Sequence, residues 1–257
     1  MTNANAEVER VTAKKPLEPE EDEARIIQTA LLPPLSLLEE NFEISYRLFS
    51  FLEVGGDFLD YFVLPNGQLG VYLGDVVGKK LAAAMYAALA MGTFRGIHKN
   101  DRAPADVLEL FNRRLRVRAV PHRFAAAQYA LFDPQTLELR LANAGLPLPV
   151  RFGDSGCSTL GGGGLPAGLF DDVRYDEWRV QLAPGDFVLF ATDGLHEACN
   201  SAGEHYGEEP LAKLCRSRQR ISSDEVLEAI LGDVAEFAGG TPQEDDLAAI
   251  VLVIAPR

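Results

Sequence analysis

The chain has 257 residues, 47% hydrophobic and 9% aromatic, which is enough for one substantial core and marginal for two. A formal net charge of −14, from 38 acidic and 24 basic residues, makes nucleic acid and anionic membranes poor partners. The three cysteines lack Cys-x-x-Cys spacing and do not cluster with the four histidines, so neither a disulfide framework nor a zinc site is expected.

The N-terminal segment, residues 1–23, differs in composition from the rest of the chain. It is rich in Glu, Lys, Asn and Ala, carries two prolines and has almost no large apolar side chains. This composition predicts a flexible tail followed by one folded domain over residues 24–257. The start of the chain lacks the basic and apolar stretches of a secretion signal, and the Ala-rich segment 81–90 is too short to span a bilayer. We therefore expect a cytoplasmic protein without a membrane partner.

The first predicted elements are a helix and a hairpin. Apolar residues recur at helical spacing over residues 24–32, before two prolines end the pattern. Strands are predicted at 43–49, 58–64 and 69–74, with Asn66-Gly67 as a two-residue turn between the last two.

This turn makes a prediction about two aspartates. With Asn66-Gly67 as the loop, Asp75 lies opposite Phe58, and Asp57 lies opposite Val76. Both aspartates then reach the same end of the hairpin, but strict alternation puts their side chains on opposite faces. We expect the neighbouring glycines to let the strand ends depart from regular pleating.

The later elements alternate between helices and hairpins. Helices are predicted at 79–97 and 103–119, and a third begins at the capping box Ser222-x-x-Glu225. Further strands are predicted at 125–132, 137–142, 148–152, 174–182, 187–191 and 247–254. Helices interleaved with groups of hairpin-linked strands predict an α/β layered sandwich of two mainly antiparallel sheets flanked by helices.

Four short segments place an aspartate beside glycine or a second acidic residue, at the edge of an apolar run. Isolated carboxylates at such places are costly to desolvate, and converging carboxylates repel each other. Divalent cations remove both difficulties. Oxygen ligands suit Mg²⁺ or Mn²⁺, and two such ions can bind phosphate and generate a hydroxide. The segments are Val54-Gly55-Gly56-Asp57, Gly74-Asp75-Val76, Thr192-Asp193-Gly194 and Glu244-Asp245-Asp246.

In order and spacing, these motifs resemble the metal-dependent protein phosphatase family (PPM, type 2C), and within it the bacterial SpoIIE/RsbU branch. The resemblance runs from residue 24 to residue 253. Its further motifs are Ile27-Gln28, Leu31-Leu32-Pro33, Gly78-Lys79, Ala83-Ala84, Asn112, Asn143-Ala144-Gly145, Pro184-Gly185-Asp186 and Glu197.

The resemblance implies an α-β-β-α protein phosphatase that acts on phosphoserine or phosphothreonine and depends on two Mn²⁺ or Mg²⁺ ions. Asp75 would bridge the two ions, with the Val76 carbonyl as an added ligand. Asp57 would bind one ion, and Asp193 and Asp245 the other. The four aspartates would act in catalysis through a metal-activated water, without a protein nucleophile.

The resemblance also implies partners. Substrates in this family are commonly anti-anti-sigma (STAS-type) phosphoproteins of partner-switching pathways, and such a protein is the expected substrate. Because 257 residues leave no room for a sensor domain, we expect control by an activating protein that docks on residues 24–32 or nearby helices, or by expression level. The oligomeric state stays open, a homodimer included.

Several residues near the motifs keep two interpretations. Asp246 could share the metal site with Asp245, although alternation along the following strand favours Asp245. Asp60 is interpreted as structural or as a support for the metal ligands. His196 is interpreted as a solvated loop residue rather than a general acid. Lys79 and its neighbour, residue 80, either attract phosphate or are simply solvated.

Three positions depart from the family pattern. Lys80 stands where glycine is usual, Ala126 where threonine is common and Leu146 where histidine is usual. These departures motivate an alternative function, a catalytically weak adaptor that uses the phosphatase fold to bind a signalling partner. A third interpretation is a dimetal hydrolase that acts on a small phosphorylated molecule.

Overall fold

The molecule, represented by a computed structural model, is built from eleven strands and five helices within its described residues. These residues are 19–98, 102–154, 156–207, 211 and 222–255. The helices are α1 (Pro19–Ala30), α2 (Lys80–Ile97), α3 (Pro104–Arg116), α4 (Asp193–His196) and α5 (Ser223–Ala238). The strands are β1 (Ser36–Leu38), β2 (Phe42–Phe49), β3 (Phe58–Val63), β4 (Leu69–Val76), β5 (Ala125–Asp133), β6 (Glu138–Ala144), β7 (Val150–Gly153), β8 (Gly156–Thr159), β9 (Trp178–Gln181), β10 (Phe187–Ala191) and β11 (Leu247–Ile254).

The strands form two antiparallel sheets. One sheet has six strands in the order β1-β2-β11-β10-β7-β8, and the other has five in the order β3-β4-β5-β6-β9. Every pairing between neighbouring strands is antiparallel. Helices α2 and α3 pack on the five-stranded sheet, and α5 packs on the six-stranded sheet. The predicted layered sandwich with flanking helices is confirmed.

Three apolar clusters fill the spaces between these layers. The first lies between α2, α3 and the five-stranded sheet, and includes Phe94 and Phe111. The second lies between the two sheets, where the buried odd-numbered residues of β3 and β4 meet residues of β2, β10 and β11. The third lies between α5 and the six-stranded sheet. Central strands buried on both faces read as continuous apolar runs, which explains why β10 and β11 match their predicted bounds.

The β3–β4 hairpin has a register one residue away from the predicted one. The Leu64 N–H donates to the Gln68 carbonyl (2.8 Å) and the Gly67 N–H donates to the Leu64 carbonyl (2.8 Å), so the loop contains three residues. Pro65 suits the second position of a type I turn, and Gly67 follows with a φ of 83°. The predicted two-residue turn was wrong because it ignored the constraint that Pro65 imposes.

The N-terminal helix is longer than predicted. It begins at Pro19 rather than at residue 24, so residues 19–23 are helical and do not belong to a tail. The rest of the predicted tail, residues 1–18, lies outside the described residues, as does Cys215. Helix α5 has the predicted capping box, in which Ser222 and Glu225 exchange hydrogen bonds. In the described part of the chain, no helix is both long and apolar enough to cross a membrane.

Candidate metal centre

The observed hairpin register brings Asp57 and Asp75 to the same face of the sheet. Phe58 pairs with Gly74, so the same register continued by one residue sets Asp57 directly opposite Asp75. Directly opposite residues point to the same side of a sheet. That side is the space between the two sheets, which the other buried odd-numbered residues of these strands also face. The facing difficulty expected from the sequence therefore does not arise, and regular pleating suffices.

Glycine at position 56 leaves space for oxygen atoms beside Asp57. A Cβ atom at Gly56 would lie 2.8 Å from the Val76 carbonyl oxygen and 3.1 Å from Asp75 Oδ1. A backbone carbonyl and a carboxylate therefore converge on one point, which supports the predicted pairing of Val76 with Asp75 as ligands. A side chain at position 56 would crowd these donors.

The six-stranded sheet supplies the other two aspartates. Asp193 follows β10 as the first residue of α4, and Asp245 lies two residues before β11, the strand paired with β10. Thr192 connects these strand ends to the other sheet. Its hydroxyl donates to Asp57 Oδ2 (2.8 Å) and accepts from the Ala248 N–H (2.9 Å). Sequence reasoning missed this role of Thr192, although its place directly before Asp193 was a usable signal.

Asp246 has a structural task of its own. Its carboxylate accepts the N–H groups of Phe51 (2.8 Å) and Gly56 (2.7 Å), and so fixes the loop between β2 and β3. A Cβ atom at Gly55 would lie 2.4 Å from Asp246 Oδ2, so glycine is required there. These contacts give Asp246 a structural role, and Asp245 stays the predicted ligand of the pair.

Burial and mutual repulsion raise the pKa values of three of the four aspartates. Burial, then the charges of Asp193 and Asp245, raise the pKa of Asp75 to about 7. Burial, then the charge of Asp75, raise the pKa of Asp57 well above its usual range. Burial, then Asp245, raise the pKa of Asp193. Asp75 thus interacts with each of the other three, as a central member of the cluster would.

The donor set suits hard divalent cations. It contains carboxylate and carbonyl oxygens, the ligands that Mg²⁺ and Mn²⁺ prefer. Among the described residues, no three Asp, Glu, His or Cys side chains converge closely enough to hold an ion as they stand. Repulsion between the carboxylates favours such separation. Asp245, for example, is paired with Lys79 (3.4 Å), so it would have to exchange that partner for an ion.

The three departures from the family pattern remove none of these carboxylates. Lys80 has a left-handed backbone (φ 64°), which explains why glycine is usual there. Ala126 lies directly opposite Asp75 in the sheet. Leu146 packs between the sheets. The Asn143 side chain donates to the Leu146 carbonyl and accepts from the Leu146 N–H.

Two further polar residues named from the sequence, Asp60 and His196, lie outside the set of four aspartates. Asp60 faces α2, where it accepts from Arg95 (2.7 Å) and Tyr72 (3.3 Å), so its role is structural. His196 ends α4 and is partly buried rather than fully solvated. Its Nδ1 is buried and has no hydrogen-bond partner among the described residues.

Helix α1 contacts the loop that carries Asp57. The Gln28 side chain donates to the Gly55 carbonyl (2.9 Å) and accepts from the Gly55 N–H (3.2 Å). This pair of hydrogen bonds joins the first helix to the backbone two residues before Asp57. The sequence contained Gln28 as part of the resemblance, but nothing local indicated its partner.

Known sequences resemble this chain over most of its length. The family model of Stage II sporulation protein E (SpoIIE) matches residues 65–254. The phosphoserine phosphatase RsbU of Bacillus subtilis is 23% identical over 228 residues, which are 88% of this chain and 67% of RsbU. Protein IcfG of Synechocystis is 23% identical over 261 residues, covering 90% of this chain and 41% of IcfG.

Solved structures share the fold. The SiaA-PP2C domain of Pseudomonas aeruginosa has a TM-score of 0.78 at 24% identity, with 90% of this chain and 94% of that chain covered. The PP2C domain of SpoIIE from Bacillus subtilis has a TM-score of 0.74 at 14% identity, with 85% and 64% covered. The fold is therefore that of the PP2C-type, or PPM, phosphatases. Because the family model covers most of the chain, the protein belongs to the SpoIIE family, the SpoIIE/RsbU type of PPM phosphatase.

Proposed function

We propose that this SpoIIE-family phosphatase hydrolyses phosphoserine or phosphothreonine on a regulatory protein and depends on divalent metal ions. The observation that carries the proposal is that Asp57 and Asp75, at one sheet, lie near enough to Asp193 and Asp245, at the other, for their charges to act on one another. The raised pKa values of Asp57, Asp75 and Asp193 indicate that the cluster carries more negative charge than the fold alone tolerates.

The proposed ligand roles follow from the positions of these residues. Asp75 interacts with all three other aspartates, which supports a bridging role between two Mn²⁺ or Mg²⁺ ions. The convergence with Asp75 supports the Val76 carbonyl as a further ligand. Asp57 would bind one ion, and Asp193 and Asp245 the other. Among the solved structures of similar fold is RsbX in complex with magnesium (TM-score 0.66).

The protein itself contributes orientation and space. Bound divalent ions would supply Lewis acidity and a water of lowered pKa. Thr192 donates to one oxygen of Asp57 and so leaves the other oxygen free for a ligand. Gly56 keeps the space beside Asp75 open, and Asp246 holds the backbone of the same loop.

A STAS-type phosphoprotein is the proposed substrate. RsbU bears the name phosphoserine phosphatase, and one structure of similar fold contains the RsbU and RsbW domains of Rv1364c from Mycobacterium tuberculosis (TM-score 0.69, 22% identity). Another comes from work on the bacterial stressosome (TM-score 0.61, 21% identity). These relatives support a cytoplasmic partner-switching role.

An activating protein is proposed to act through α1. The two hydrogen bonds between Gln28 and the Gly55 backbone couple the position of this helix to that of the loop before Asp57. A partner that shifts α1 would therefore change the placement of that carboxylate. The proposal includes no contact with nucleic acid or membrane.

The test measures phosphate release from para-nitrophenyl phosphate and from phosphorylated STAS proteins encoded near this gene, with and without Mn²⁺. We expect hydrolysis that requires Mn²⁺ and is abolished by Asp193→Asn. The exposed helical residue Glu236 offers a matched control, since Glu236→Gln removes a carboxylate on the surface of α5, outside the cluster. A folded, Mn²⁺-loaded protein without activity on any of these substrates would refute the proposal.

The adaptor alternative is favoured by one observation, the apolar residue Ala126 directly opposite Asp75, together with Leu146 in the layer between the sheets. An adaptor would keep its affinity for a partner after all four aspartates are changed to asparagine, and its unmodified form would release no phosphate. The third interpretation, a small-molecule hydrolase, requires faster turnover of nucleotides than of a phosphopeptide.

A further inference from the structure

The ammonium group of Lys79 lies beside the carboxylate cluster. It directly precedes α2, and its Nζ donates to the Glu244 carbonyl (2.7 Å) and lies 3.4 Å from Asp245 Oδ2. The same ammonium lies 5.3 Å from the centre of the Phe51 ring. These contacts place the ammonium beside Asp245, at the edge of the cluster.

The charge balance of the site calls for such a cation. Five carboxylates lie at or beside the cluster when Asp246 is included. Two divalent ions would offset four of these charges, and a phosphomonoester dianion would add two more negative charges. In the described part of the chain, no lysine or arginine other than Lys79 forms an ion pair with any of the five.

The contact between Lys79 and Asp245 is easily exchanged. Both side chains are about half exposed (50% and 47%), and ion pairs at such exposure contribute little free energy. An ion bound to Asp245 would neutralise the carboxylate that now attracts the ammonium. The flexible lysine stem and its three N–H donors could then turn to another anion.

The neighbouring lysine provides a contrast. Lys80 is exposed and has a left-handed backbone, and it has no hydrogen bond or ion pair among the described residues. The two lysines that the sequence could not separate are thus distinguished by the structure. Only Lys79 is directed to the cluster.

We propose that Lys79 binds the phosphoryl group of the substrate and sets the affinity of the site for phosphomonoester dianions. This inference rests on the proposed function and adds to it a residue that recognises the substrate. In the resting protein, Asp245 and the Glu244 carbonyl hold the ammonium. In the complex, phosphoryl oxygens replace Asp245 as its partner.

The test uses the full chain saturated with Mn²⁺ at about 0.15 M salt, where distant charges are screened. Inorganic phosphate is the probe, as an inhibitor of para-nitrophenyl phosphate hydrolysis and as a ligand in calorimetry. Lys79→Met should weaken phosphate binding about tenfold and raise KM similarly, with a smaller change in kcat, since a charge-assisted hydrogen bond is lost. Lys79→Arg should restore most of the affinity, and Lys80→Met should change it less than about twofold.

A second measurement separates recognition from a structural role. Calorimetry of Mn²⁺ binding to metal-free Lys79→Met should give an affinity equal to or tighter than that of the wild type, because a competitor for Asp245 is gone. Unchanged phosphate affinity in Lys79→Met would overturn the inference. A lowered unfolding midpoint of this variant would then indicate that Lys79 has a structural role and stabilises the segment before β11. Wild-type protein that hydrolyses no phosphomonoester would refute the proposed function instead, while phosphate calorimetry would still decide the role of Lys79.

Discussion

Replacing Asp75 by asparagine should stabilise the metal-free protein at neutral pH, although it removes the central residue of the cluster. The pKa of Asp75 is raised from 3.8 to about 7, mainly by burial and then by the charges of Asp193 and Asp245. The folded protein therefore holds this proton more tightly than the unfolded chain does. In such a case the free energy of unfolding falls as the pH rises from about 4 to about 7.

The magnitude follows from the size of the shift. One pKa unit corresponds to about 1.4 kcal/mol, so the raised pKa of Asp75 lowers the free energy of unfolding, relative to its value at acidic pH, by about 4 kcal/mol at pH 7.5 and about 1.5 kcal/mol at pH 5. The wild type should therefore lose about 2.5 kcal/mol over this interval that Asp75→Asn does not lose. Asparagine keeps the shape of the carboxyl group and cannot ionise.

The assay is urea unfolding of chelator-treated protein at pH 5 and pH 7.5. The free energy of unfolding of Asp75→Asn relative to the wild type should rise with pH. For Glu236→Gln, an exposed control, the difference from the wild type should be the same at both pH values. Saturating Mn²⁺ should stabilise the wild type at pH 7.5 more than it stabilises Asp75→Asn. Parallel pH profiles for the wild type and Asp75→Asn would refute this reasoning about buried charge.

Three further outcomes follow from individual contacts. Thr192→Val should lower the free energy of unfolding by about 2 kcal/mol, because the Ala248 N–H loses its buried partner. Thr192→Ser keeps the hydroxyl and should lower it by less than half of that amount. Equal free energies for the two variants in urea unfolding would contradict this prediction. Gln28→Ala should weaken Mn²⁺ binding about tenfold in calorimetry, since two hydrogen bonds that steady the loop before Asp57 are lost; unchanged affinity would separate α1 from the site. Lys80→Gly should be about 1 kcal/mol more stable than Lys80→Ala, because glycine takes a positive φ without strain; equal stability would argue against the left-handed backbone.

The layered architecture was predictable because its signals are local. Strands β10 and β11 are buried on both faces and read as unbroken apolar runs, and the capping box at Ser222 marked the start of α5. Glycine or a second acidic residue beside each aspartate likewise marked the strand ends. The candidate carboxylates could therefore be chosen before their positions in space were known.

The contacts that organise the cluster are not local, and this is why they were missed. Thr192 reaches Asp57 across a sequence separation of 135 residues, and Gln28 reaches Gly55 across 27. Neither partner can be inferred from periodicity or propensity. The hairpin register is a different case, since Pro65 was visible in the sequence and a one-residue change in loop length reverses the face of each side chain.

The origin of the four aspartates in two different sheets has a consequence for the apolar layer between them. Asp75 lies in β4 and Asp57 directly precedes β3 of the five-stranded sheet, whereas Asp193 and Asp245 flank strands of the six-stranded sheet. Ions shared by both pairs would have to span the distance that the inter-sheet side chains maintain. Those side chains, Leu73 and Ile250 among them, then act as a spacer for the ligands. Metal preference in this protein would thus depend on residues that never touch an ion, and repacking the core would be a way to change it.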